Sequence, residues 1–230
     1  MNFYDKYSRL LVAVDSIIFG FNEHDTELKL LLLKRNFEPE KGKWSLMGGF
    51  VDPSESLDEA AKRIVFQLTG LNNVYMEQLY AFGDLNRDAG GRIISVAYFS
   101  LIKINEHDSK LVKEHGASWI SLSELPTLIF DHNEMVDKAM RKLRIRARTQ
   151  PIGFELLPEK FTIPQLQRLY EAIYQAPFDK RNFRRKLLSM ELLEKLEEKE
   201  KETSKKGAFY YKFNQKKYEE FLQRGFNFEI

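Results

Sequence analysis

The stretch that most constrains this chain runs from Gly48 to Leu71, GGFVDPSESLDEAAKRIVFQLTGL. Its glycine pair permits a tight turn. Ser56 followed three residues later by Glu59 has the layout of a capping box, which opens a helix. A helix is therefore predicted over 56–69, with Leu57, Ala60, Ala61, Ile64 and Leu68 on one side. Glu55 and Arg63 are an oppositely charged pair flanking the helix start. Positions i, i+3 and i+4 share a helix face, and at 64, 67 and 68 that face holds Ile, Gln and Leu. Mg²⁺ wants oxygen ligands; this face offers it one neutral amide and no carboxylate.

The remaining chain supplies a scaffold for that turn and helix. Strands are predicted over 10–21 and 27–34, joined across the polar turn 22–26. A short extended stretch, 44–50, leads into the glycines. Further strands are predicted over 74–82, 92–104 and 117–122, and a helix from His132 to about Ala147 that ends in the basic run RKLRIRAR. A hydrophobic content of 43% can build real cores at 230 residues. The absence of cysteine excludes disulfides and Cys-ligated zinc and fits a cytoplasmic protein. The N-terminus lacks a signal-peptide layout, and no apolar stretch is long enough to span a membrane.

The pattern changes after Gln150, where Pro151 and Gly153 break the helix. Two domains follow as the expectation, 1–150 and 151–230. In the second, Thr162 caps a helix with Pro164 in its first turn, and Leu166, Leu169, Tyr170 and Ile173 recur at helical spacing. Asp179 caps another helix, in which Phe183 and Leu187 form an apolar pair and Lys180, Arg181, Arg184 and Arg185 hold the opposite face. The charged run 191–201 is predicted to be helical, 208–213 a strand and 215–223 a helix. Residues 151–230 carry 16 Lys+Arg against 13 Asp+Glu, so the tail as a whole is only weakly basic. The cluster is local: five of the seven residues Lys180–Lys186 are cationic. Two helices joined by a short turn, followed by a basic tip, outline a winged helix-turn-helix, whose second helix enters the major groove.

The Gly48–Leu71 stretch resembles the signature of the Nudix hydrolases: Gly49, Glu55, Arg63, Gly70 and Leu71 fall on its pattern, while Ile64, Gln67 and Leu68 stand where the family has glutamates. Taken with WSLMGGF (44–50), FGDLNRD (82–88), RIISVAY (92–98), FTIPQLQRLYE (161–171) and KRNFRRK (180–186), the chain is similar to the Nudix-related transcriptional regulators called NrtR-like. The resemblance implies an α+β protein, an N-terminal Nudix-like α/β/α sandwich followed by a C-terminal winged helix-turn-helix. It further implies a homodimer on palindromic double-stranded operator DNA and release of DNA when a small molecule fills the Nudix pocket; Ile64, Gln67 and Leu68 in place of the glutamates make the expected sensor catalytically inactive, without cofactor or metal. One branch of the family senses ADP-ribose. Another, AraR-like, senses L-arabinose and represses a sugar-utilisation operon; this chain looks most similar to the second, with ADP-ribose as the alternative effector.

A free sugar needs a few convergent polar groups beside an aromatic face. Asp15, Lys43, Trp44, Asp84, Asn86, Asp88 and Arg92 are the candidates for effector binding. Each has a structural alternative. Trp44 suits a core, Asp84, Asn86 and Asp88 can shape a turn, Arg87 and Asp88 can pair locally, and Asp15 in an apolar strand needs a partner. On the DNA side, Arg181, Asn182 and Arg185 suit base edges. Lys180, Arg184, Lys186, Lys205, Lys206 and Lys212 suit phosphates. Two rival readings remain: an active Nudix pyrophosphohydrolase, which must do without carboxylates at 64 and 68, and a nucleic-acid scaffold with no effector.

Overall fold

The computed structural model describes residues 3–22, 27–201, 207–225 and 228, except for the side chains of 106–108. The chain divides into two compact units, Met1–Gly20 with Lys29–Ala139 and Phe21–Leu28 with Met140–Ile230. The division falls inside a helix, not at the helix-breaking residues 151–153.

The first unit is built on a mixed sheet. Strands β1 (Leu11–Asn22), β2 (Glu27–Lys34), β3 (Trp44–Ser45), β4 (Met47–Phe50), β5 (Glu77–Phe82), β6 (Ile93–Lys103) and β7 (Ala117–Ser121) run along the chain. The order β3-β2-β1-β6-β5 forms the main path, with β4 beside β1 and β7 beside β2. Helices α1 (Leu57–Thr69), α2 (Glu106–Glu114) and α3 (His132–Thr149) complete the elements of this half. β1 and β2 read as near-continuous apolar runs because both faces are covered: Val14, Ile17, Ile18, Phe19, Leu30, Leu31 and Leu32 are fully buried. Extended residues 44–50 break at Leu46 into two short strands, and 74–76 lie before β5 rather than within it. Helix α2 was not anticipated from the sequence.

Helix α1 begins as its residues dictate. Ser56 accepts from the Glu59 amide and Glu59 returns a bond to the Ser56 amide. Gly70, left-handed at φ 74°, ends the helix as only glycine does cheaply. Ala60, Ala61, Ile64 and Val65 are buried.

In the second unit, β8 (Phe161–Thr162), α4 (Ile163–Tyr174), α5 (Lys180–Ser189), β9 (Leu193–Glu200), β10 (Ala208–Phe213) and α6 (Gln215–Gln223) follow in order. The three strands form a sheet β8-β10-β9. Thr162 and Gln165 make a reciprocal capping box on α4, and Asp179 caps α5 through the Asn182 amide. Leu166, Leu169, Tyr170 and Ile173 of α4 are fully buried, and Phe183 and Leu187 of α5 join them in the interior. Residues 193–200 are a strand, contrary to the helix that their Glu, Lys and Leu content favours. Tertiary pairing overrides that propensity: Leu193 aligns with Phe213, Lys195 with Tyr211 and Lys199 with Phe209. Only Leu193 and Leu196 in this run are apolar, too few for a helix stripe, and the ammonium groups of Lys195 and Lys199 sit over the Phe209 ring at 3.7 and 4.3 Å. Strand alternation puts Tyr211 inside and leaves Tyr210 half-buried.

Candidate functional site

A cavity of about 360 Å³ opens in the first unit. Its position follows from strand register. Asp15 of β1 lies opposite Gly48 of β4. A β-carbon at position 48 would stand 2.0 Å from Asp15 Oδ1, so glycine is what lets the carboxylate lie there.

The buried lining, Asp15, Arg87 and His132, belongs to an ionic cluster assembled from four places in the chain. Asp15 is 6% exposed, and its Oδ2 accepts from Ser95 Oγ at 2.5 Å. Arg87 donates from Nε and Nη2 to the two oxygens of Asp131 at 2.8 and 2.7 Å, and Nη2 lies 3.7 Å from Asp15. The buried ring of His132 stands 3.6 Å from Asp15 Oδ1 through Nε2. Its Nδ1 accepts from the Leu46 amide, which assigns the proton to Nε2, the nitrogen nearer Asp15. Burial pushes the His132 pKa down, and the nearby Asp15 and Asp131 offset only part of that, so the ring is neutral near pH 7.

The exposed lining is apolar and aromatic. Phe37 and Phe50 stand at the surface, and Phe130, Leu11 and Pro39 complete the wall. The Arg35 guanidinium lies 4.1 Å from the Phe37 centroid and 5.8 Å from that of Phe130, and its Nε donates to the Pro39 carbonyl. One end of the cavity thus carries buried charge, the other a cation held against two rings.

Strand β4 borders the cavity through Gly48 and Gly49, and the capped helix through Leu68. Arg63 grips Glu55 with two bonds of 2.8 and 2.5 Å and also holds the Phe50 carbonyl. That grip and the Asp52 amide hold the Glu55 carboxyl down to about 2. The pair ties the turn to the helix. The same face does not fit Mg²⁺. Ile64 is buried against Gly49, Leu68 is half-buried, and the Gln67 amide oxygen accepts from Arg63. Glu55 is engaged by Arg63, and Glu59 by the helix cap. Among the described residues no group of three or more His, Cys, Asp and Glu side chains is placed to hold a metal ion.

Of the seven candidate effector residues, Asp15 and Asp88 line the cavity. The other five are not part of its lining. Lys43 is exposed and paired with Glu40. Trp44 is half-buried with Lys34 over its ring. Asp84 and Asn86 are exposed on the 83–91 loop, and Arg92 donates to the Gly83 and Asp84 carbonyls. Arg87 pairs across the fold and not with its neighbour Asp88, whose carboxylate instead accepts from the Gly90 amide. Sequence reasoning missed Arg87, Asp131 and His132. The one available signal was a cationic residue inside an otherwise loop-like run.

The second unit presents a cationic helix face. At 100° per residue, Arg181 and Arg185 lie opposite buried Phe183 and Leu187, with Asn182 beside them. All three are exposed, and Arg185 donates to the Asn182 side-chain oxygen at 3.0 Å. Lys180, Arg184 and Lys186 flank this face. Arg184 also reaches the Tyr211 hydroxyl at 3.3 Å. Lys212 is paired with Glu159. Lys205 and Lys206 lie outside the described residues. No described helix is long and apolar enough to cross a membrane.

Comparison with known proteins places these two units. The NUDIX domain model matches residues 9–143, and the model described as the NrtR DNA-binding winged helix domain matches 153–213. The ADPR responsive transcriptional repressor NtrR of Acinetobacter baylyi is 30% identical over 211 residues, 90% of this chain and 83% of that one. The crystal structure of Shewanella oneidensis NrtR complexed with a 27mer DNA superimposes with a TM-score of 0.71 at 29% identity, covering 88% of this chain and 93% of the other. The NUDIX domain of that protein, complexed with ADP ribose, is 32% identical with a TM-score of 0.51, covering 60% of this chain and 92% of the other. With both halves matched in order, the chain belongs to the family of Nudix-related transcriptional regulators that join a Nudix domain to an NrtR-type winged helix.

Proposed function

We propose that this protein is a transcriptional repressor whose Nudix unit senses ADP-ribose, or a closely similar nucleoside diphosphate sugar, without hydrolysing it. It binds double-stranded operator DNA through α5 as a homodimer and releases it when the effector fills the cavity. The observation that carries this reading is the 30% identity, through 90% of the chain, to a repressor named for its response to ADPR. The cavity supports the same effector. Its volume of about 360 Å³ falls in the range of sites for drug-sized ligands, and a free pentose fills only a fraction of it. L-arabinose, expected from the resemblance to the AraR-like branch, finds no support in the comparisons. The helix face of Ile64, Gln67 and Leu68 supports sensing over hydrolysis, because water attack on a pyrophosphate needs a metal to activate the water and neutralise charge.

For release, the effector must favour one of two arrangements by its differential affinity. Binding of the full chain to its own upstream DNA tests the reading, with ADP-ribose or L-arabinose added. Release by ADP-ribose, with the ADP-ribose recovered intact after incubation with Mg²⁺, is the expected result. Release by L-arabinose alone would return the effector to the sugar. Consumption of ADP-ribose with no DNA binding would make the protein a hydrolase.

A further inference from the structure

Within the second unit a groove of about 430 Å³ runs beside α5. One wall is the last turn of α3, carrying exposed Arg148. The other is the flank of α5 that carries Asn182 and Lys186. Between them lie Tyr174, Phe178 and Phe183, with ring centroids 5.3 Å apart for the first pair and 5.7 Å for the second. The groove is built rather than incidental. The Phe178 amide donates to Glu171, and Gln167 donates to the Phe178 carbonyl, so the turn between α4 and α5 is fixed from behind. The one carboxylate in the lining, Asp179, accepts from the Asn182 amide as the α5 cap.

We infer that this groove takes the sugar–phosphate backbone of the bound duplex, with Arg148 and Lys186 holding phosphate from opposite walls. The inference rests on the reading of the chain as a DNA-binding regulator. Three properties select this occupant. The groove is continuous with the base-facing side of α5, because Asn182 belongs to both. Its walls are cationic, and a guanidinium matches phosphate oxygens in a fork. Its floor is aromatic, suited to the apolar face of a deoxyribose and not to a hydrated ion. The last turn of α3 therefore belongs to the DNA surface.

A backbone contact gives affinity without sequence choice. Arg148→Gln should weaken the operator and a random duplex by the same factor, about eightfold at 0.1 M salt, and flatten the slope of log K against log salt by about 0.9. The measurement is fluorescence anisotropy of the full chain on both duplexes between 50 and 300 mM salt. Arg148→Lys should restore most of the slope, and Lys142→Gln, exposed about 120° round the same helix and outside the groove, should change neither quantity. Circular dichroism melts of each variant show whether it is folded. Wild-type affinity and slope in a folded Arg148→Gln chain would overturn the inference and leave the proposed function standing. So would a loss confined to the operator, which would make Arg148 a base reader. Failure of the wild-type chain to bind any duplex would overturn both. If Arg148→Gln unfolds, Lys186→Gln carries the same expectation of a reduced slope.

Discussion

Arg87 is the residue on which the cavity's buried charge depends, and its removal gives the sharpest test of the structure. Its side chain is 3% exposed and meets Asp131 with two bonds and Asp15 at 3.7 Å, their side chains being 17% and 9% exposed. Arg87→Met replaces the guanidinium by an apolar chain of similar length and leaves two carboxylates facing each other without a cation. Stripping one partner from a buried pair costs about 3–5 kcal/mol. At roughly 3 °C per kcal/mol for a chain of this size, the melting temperature should fall by about 10 °C. Asp131→Asn in the same chain removes one of the stranded charges and should recover part of the loss, so the two changes should be non-additive. Melts followed by circular dichroism at pH 7 give all three values. If Arg87→Met melts within about 2 °C of the wild type, the cluster is not holding the fold together and the argument fails.

Three further expectations follow from the same geometry. Gly48→Ala drives a methyl into Oδ1 of Asp15, whose other oxygen Ser95 holds; overpacking should cost about 1–3 kcal/mol and abolish the proposed ADP-ribose binding, measured by calorimetry. The Glu55 carboxyl is lowered from 4.5 to about 2, so its contribution to stability is complete above pH 4.5 and disappears as pH falls towards 2. Urea midpoints of Glu55→Gln should therefore change less than those of the wild type between pH 5 and 3, and equal acid sensitivity would contradict the pairing. His132 has the same sign at a higher pH. Its pKa is lowered from 6.5 by burial, so the unfolded chain takes up the proton first and stability declines as pH drops below 6.5; His132→Gln should flatten the wild-type melting profile between pH 7.5 and 5.5.

What the sequence made legible was local. The caps at Ser56, Thr162 and Asp179 and the buried pair Phe183 and Leu187 all depend on residues three or four apart, and all stand in the structure as read. The cavity was legible only at Asp15 and Asp88, because its chemistry is made by distant partners. Asp15 meets Ser95 across 80 residues, His132 meets Leu46 across 86, and Arg87 meets Asp131 across 44. No periodicity encodes such pairings. Strand β9 shows the converse failure: LEKLEEKE has the composition of a helix, and the only thing that makes it a strand is β10 beside it.

The position of α3 bears on how such proteins recombine. The helix supplies residues to both compact units, and Met135, Val136, Ala139, Met140, Leu143 and Ala147 are buried along its length. A splice at the unit boundary would combine half of one helix's apolar stripe with half of another's. A slip of one residue there turns everything downstream by 100°. Chimeras that exchange winged helices between regulators of this family should therefore be joined outside α3, with Asp131 and His132 kept beside the Arg87, Asp15 and Leu46 that they meet.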